Sequence, residues 1–323
     1  MKKLLLALAI LCCGPGAHAQ TQDQKEVESR WSDSVVVIVH ASPAVIAHAR
    51  CPAMWKLSKG GANIWVLPTL LDGPRYGHWD SSCFKKRLKQ ADALFIQDKA
   101  ESLPAEYSHL PPGTTLKDAV SDATYRRFVE TARRVHDNPA LYDRLDPVWA
   151  AYPLVSHAYN LKHIVPGGNY PDDLADLARE ARVRVYALRR QDMDLGRRNI
   201  RSQVEVDRRE ACLNANLDRV DYTLNVLPGL LAAWQSSDIA TVLRDYPRED
   251  DRCSPRGETF FTVYGKLNID NWMKALTGAL DDGGDSVAAI PLPWLLYKDG
   301  VLDKMRASGV TVTPPEGLED KAP

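Results

Sequence analysis

Histidine, cysteine and arginine are the side chains through which this chain would do chemistry, and their spacing excludes most of it. His40, His48, His78, His109, His136, His157 and His163 stand apart, with no H-x-x-x-H pair to place two imidazoles on one helix face. His78, in a loop beside Trp79 and Asp80, is the one a hydrolase would use as a base, with Asp80 or Asp72 to orient it. There is no G-x-S-x-G nucleophile elbow and no phosphate-cradling glycine loop. Cys51, Cys83, Cys212 and Cys253 show no C-x-x-C spacing and no adjacent histidine, which argues against a zinc site. Cys12 and Cys13 fall in a leader-like start, and the four cysteines left in an exported chain read instead as two disulfides. Of the three possible pairings, Cys51 with Cys83 and Cys212 with Cys253 is expected, because each pair lies within one half of the chain.

Arginine is the exception to this scatter. Between Arg179 and Arg209 there are ten arginines against five acidic residues. Guanidinium forks suit carboxylate or phosphate, so Arg189 and Arg190, at the end of an expected strand, are candidate anion ligands with His78. The plainer reading is a solvated helix face held by pairs such as Glu205 with Arg209. Trp55, Trp65 and Trp79 read as core residues before they read as sugar platforms.

Those residues are carried by a chain with an export leader at its start. Lys2-Lys3, the apolar run Leu4 to Leu11 and Ala17-His18-Ala19 follow the charged, hydrophobic and small-residue order of a secretory signal. Cleavage is expected after Ala19, giving a plan of leader 1–19, extension 20–50, domain 51–315 and disordered tail 316–323. The leader's apolar run is too short to cross a hydrocarbon layer of roughly 30 Å. The best later stretch, Leu224 to Trp234, contains Pro228 and Gly229, so no membrane anchor is expected in the mature protein. The full chain has a net charge of −1 and the leader removes two lysines, a balance that argues against nucleic-acid binding.

The elements alternate. Residues 20–33 are expected to be polar and mobile, with a strand at Ser34–Val39. A hairpin follows, Met54–Leu57 and Ile64–Leu67 around Lys59-Gly60-Gly61-Ala62. A turn at Asp72-Gly73-Pro74, a helix over 81–91 and a strand at Ala93–Ile96 come next. Residues 116–161 read as helices broken at Pro139, Pro147 and Pro153. After a helix ending near Ala181 and a strand Val183–Leu188, residues 197–246 are helical with an interruption at Pro228-Gly229. The last quarter gives a helix over 268–280, a strand Ser286–Ile290, a helix over 294–308 and a strand Val310–Thr313. This is an α/β pattern, a mixed sheet of two similar halves covered by helices, with a helical insertion.

The order of these segments resembles the TraB/PrgY/GumN family, its GumN branch most closely. Met54-Trp55-Lys56-Leu57 with Ile64-Trp65-Val66-Leu67 is similar to that family's opening hairpin, and Ala91-Asp92-Ala93-Leu94 to the entry of its next strand. Ala233-Trp234 with Ser237-Asp238, Asn271-Trp272, the Val287 to Leu296 segment and Gly300-Val301-Leu302 with Gly309 follow in the family's order. The resemblance implies a fold related to the ChaN- and EreA-like folds and a metal-dependent hydrolase ancestry.

It also implies where that chemistry would sit, and there this chain departs. Pro68, Thr69 and Leu71 stand in place of a Gly-Thr-x-His turn, and Gln97 in place of a glutamate. Arg189 and Arg190 follow Leu188 where a Leu-Glu pair is expected, and Leu267-Asn268 replaces Arg-Asn. Ile290-Pro291-Leu292-Pro293 replaces Gly-x-x-His. A hydrolytic metal needs about three ligands and a base, and these residues supply none. The expectation is a catalytically degenerate protein of a Gram-negative envelope, periplasmic or secreted. It would need no cofactor or metal and would bind a small ligand, a peptide or an anionic glycan. An active hydrolase built on His78 is the alternative, and a structural partner of an outer-membrane complex a third.

Overall fold

A computed structural model describes residues 31–32, 52–74, 79–98, 107–165, 170–189, 204–247, 251–253 and 260–315. The expected leader, the strand at Ser34–Val39 and the tail therefore lie outside the described residues. Strand β1 (Trp55–Lys59) turns into β2 (Ala62–Thr69) through Gly60 and Gly61, with Lys59 opposite Ala62. Both glycines have positive φ, 60° and 92°, which side chains resist and which a tight hairpin requires. Trp55, Leu57, Ile64 and Val66 are buried while the residues between them are half-exposed, the two-residue alternation of a sheet covered by helices.

β2 joins a six-stranded sheet with β4 (Ala93–Gln97), β6 (Arg184–Leu188), β7 (Asp285–Pro291) and β8 (Thr311–Thr313), in the order β6-β4-β7-β2-β1-β8. The contiguous four, β6, β4, β7 and β2, are parallel, and β1 runs antiparallel to both its neighbours. β4 is buried along its whole length, as a parallel strand with both faces covered must be. Helix α10 (Phe260–Asp282) crosses one face, where Asn268 meets Gln97. Helices α1 (Ser82–Leu88) and α6 (Tyr170–Ala181) lie on the other, and Arg87 of α1 stacks 3.5 Å over the Trp65 ring. The expected α/β class and mixed sheet are thus observed.

Between β4 and β6 lies the helical insertion, α2 (Leu116–Ala119), α3 (Asp122–Arg134), α4 (Pro147–Ala150) and α5 (Tyr152–Leu161). α7 (Arg209–Asn225), α8 (Leu227–Gln235) and α9 (Ile239–Asp245) precede α10, and α11 (Leu292–Leu296) and α12 (Val301–Ala307) follow β7. Cys212 on α7 is bonded to Cys253, as expected. Cys83 is also disulfide-bonded, but Cys51, its expected partner, lies outside the described residues.

Several local expectations change. Gly73–Pro74 is not only a turn. It forms a short strand, β3, paired antiparallel with β5 (Ile164–Val165). The helical break near Pro228 falls at Val226 instead, because proline lacks the N–H that a helix start leaves unpaired, and Pro228 opens α8. The helix expected over 294–308 is two helices, interrupted at Tyr297–Gly300. Residues 31–32 are not mobile: Trp31 is 1% exposed, edge-on to Tyr246 and Tyr297, and the Ser32 amide donates to the Leu296 carbonyl. One large indole outweighs the polarity of the segment around it. Trp55 is core, while Trp65 is only half-buried between Arg87 and Lys56.

Candidate functional site

Four parallel strands finishing at the same edge place the residues after them side by side. Thr69 pairs with Pro291 across β2 and β7, Ile96 with Ala289 across β4 and β7, and Gln97 with Leu188 across β4 and β6. The chain leaves this edge as Leu71, Asp98, Arg189 and Leu292. The carboxyl edge of a parallel sheet, where the chain order switches sides, is where such folds place ligands.

What the edge offers is mostly neutral. Gln97, 8% exposed, donates from Nε2 to Oδ1 of Asn268, 3.0 Å away and 1% exposed. Two of the sequence-derived positions are thereby joined into one buried amide pair. Thr69 is buried and Leu71 half-buried, and the Trp234 indole of α8 donates to the Pro68 carbonyl at 2.7 Å, closing the edge over β2. Arg189 is exposed, and its carbonyl accepts from Asn271 at 3.4 Å. Arg190 and His78 lie outside the described residues. The arginine-rich stretch is not one cluster: Arg209, expected with Glu205, pairs with buried Asp146 at 2.7 Å, and Arg179 pairs with Asp176. A short, fixed buried partner wins over a flexible one on the surface.

Charge reappears one residue past Leu71. Asp72 is 7% exposed and accepts from Arg219 of α7 at 2.6 Å and from the Tyr159 hydroxyl of α5 at 2.9 Å; Arg219 also donates to that hydroxyl at 2.7 Å. Burial opposes the charge on Arg219, but Asp72 foremost and then Tyr159 outweigh it, so the guanidinium is held protonated more firmly than usual. Burial pushes the Tyr159 hydroxyl well above the ordinary tyrosine range, against the nearby Arg219 and with the help of Asp72. Burial likewise raises Tyr222, whose hydroxyl has no hydrogen-bond partner among the described residues. Of this cluster, sequence reasoning reached only Asp72. Arg219 and Tyr222, three apart on the face of α7 that carries buried Cys212 and Ala215, are the signal it missed.

Residues 53–314 match the TraB/PrgY/gumN family. The chain belongs to that family. The match runs from two residues before β1 to the residue after β8, so it takes in the whole sheet and both helical layers. No curated protein and no solved structure matches the chain. A catalytic divalent metal, which the family resemblance implies, does not fit the donor set at the strand ends. Leu71 and Pro291 have no side-chain donor atom, Arg189 is cationic, and the Gln97 amide group is turned to Asn268. Among the described residues no group of three or more histidine, cysteine, aspartate or glutamate side chains stands close enough to hold a metal ion. No helix among them is long and apolar enough to cross a membrane.

Proposed function

We propose that this TraB/PrgY/gumN family member is exported to the bacterial envelope and there binds a peptide or an anionic glycan without hydrolysing it. The observation that carries the reading is the buried Gln97–Asn268 amide pair at the strand ends. An amide cannot accept a proton from water at neutral pH, so a base-assisted attack has no base at that position. Export is supported by the leader-like residues 1–19 and by the disulfide from Cys212 to Cys253, a bond that persists in oxidising compartments.

The hydrolase alternative needs a carboxylate partner for His78. Asp72 is already committed to Arg219 and Tyr159, and Asp80 accepts the Ser82 amide at the start of α1. Each carboxylate is therefore already engaged by other groups of the protein.

The test is to recover the protein from the periplasm, sequence its amino terminus, and incubate it with a peptide library and acidic polysaccharides with and without a chelator. The expected results are a first residue of Gln20 and no cleavage. Turnover abolished by the chelator, or by His78→Ala, would establish the hydrolase instead.

A further inference from the structure

Between α10 and the β4–β6 end of the sheet runs an open groove of about 570 Å³, on the face that carries Gln97. β6 is the edge strand, paired only with β4 among the described residues, and its side chains on this face are uncovered. Tyr186 lies with one ring face on Phe95, centroids 5.1 Å apart and planes within 15°, and is 44% exposed. An exposed tyrosine held rigid from behind is a binding platform, since little rotamer freedom remains to be lost.

The opposite wall, α10, is cut away where it faces the platform: Ala275, Gly278 and Ala279 line the groove, and nothing stands within 4 Å of where a Gly278 Cβ would be. Lys274 on the helix and Arg184 on β6 also line it. Both are exposed and, among the described residues, neither has a hydrogen-bond or ion-pair partner. Asp92 and Asp282 stand where the strands begin. Those carboxylates accept hydrogen bonds, and a simple anion has no hydroxyl to donate to them. A ligand carrying ring faces for Tyr186, hydroxyls to donate to the carboxylates and spaced negative charges for Arg184 and Lys274 satisfies all three demands.

We propose that this groove binds an acidic saccharide, a uronic-acid oligomer being the chemical class that combines those features. The assignment rests on the binding reading above and names its site and ligand. The glycan's ring stacks on Tyr186, Arg184 and Lys274 meet its carboxylates, and the space above Gly278 admits the chain.

An oligogalacturonate titrated into the full-length exported protein by calorimetry tests this, with its methyl-esterified form as the uncharged control. The expected result is binding that weakens with salt and is lost with the ester. Gly278→Leu, which fills the groove while improving the helix, and Tyr186→Ala should each weaken it about ten-fold. Arg184→Ala with Lys274→Ala should abolish the salt dependence. Unchanged thermal unfolding of these variants shows that the fold is intact. No binding, equal binding of the ester, or wild-type affinity in Gly278→Leu overturns the groove assignment and leaves the non-hydrolytic reading standing. Cleavage of the oligomer that Gly278→Leu suppresses would overturn that reading and keep the groove.

Discussion

Arg219 and Tyr222, three residues apart on α7, respond in opposite ways to removal of their polar atoms. Arg219→Ala leaves the buried Asp72 carboxylate without the guanidinium that pairs with it. Losing one partner of a fully buried pair costs about 3–5 kcal/mol, and because the Arg219 side chain is 40% exposed, about 1–3 kcal/mol is expected. Tyr222→Phe removes a hydroxyl that has no partner among the described residues, and should be neutral or stabilise by up to about 1 kcal/mol. Urea unfolding of the two variants checks the contrast. Tyr159 and Tyr222 also set a pH dependence. Burial raises both hydroxyls above the ordinary value of 10.0, so they stay protonated in the folded protein at a pH where they ionise in the unfolded chain. Their contribution is intact below pH 10.0 and is lost as the pH rises above it, which unfolding midpoints measured across that range should show as a steady fall. The cluster was invisible in the sequence because its partners lie 60 and 147 positions apart, Tyr159 and Asp72 from Arg219. The Gln97–Asn268 bond spans 171 positions, yet both residues could be named in advance, since each occupies a place fixed by the order of strands and helices.

The interrupted helix after β7 shows where local pattern stops being informative. Residues 294–308 carry no proline after Pro293, and their apolar spacing reads as continuous. The break is marked by Asp299, whose φ of 59° cannot continue a right-handed helix, and the carbonyls of Tyr297, Trp294 and Leu295 then lie 2.6, 2.8 and 3.0 Å from where a Gly300 Cβ would stand. These are backbone atoms and cannot swing away. Gly300→Ala should therefore destabilise by about 2–3 kcal/mol, as overpacking does. Gly278→Ala, in open space within α10, should stabilise by about 0.5–1 kcal/mol. Thermal unfolding of the pair checks both signs. The hairpin of β1 and β2 was legible because alternating burial and two glycines are local signals. The pairing of Gly73–Pro74 with Ile164–Val165 was not, since two residues are too few to leave a period and their partner lies in another part of the chain. Trp31 was misjudged for the same reason: its place against Tyr246 and Tyr297 is tertiary.

At the scale of the molecule, one sheet holds an edge of neutral strand ends and a disulfide ties α7 to the segment after α9. The bond between Cys212 and Cys253 closes a loop of 41 residues, and replacing both cysteines with serine should lower stability by up to about 4 kcal/mol. Denaturant titration of the double variant beside the parent checks this, and a shift under 1 kcal/mol would show that the loop is already constrained when unfolded. The matching family span from 53 to 314 and the sheet beneath it agree on the framework. The proposal that the framework has parted from metal hydrolysis rests on Leu71, Gln97, Arg189 and Pro291 standing where that chemistry would need donors. Elemental analysis of the protein purified from the periplasm without added metal or chelator tests it most directly. The account predicts zinc, manganese and cobalt far below one equivalent per chain, and one equivalent of any of them, retained through gel filtration, would contradict it.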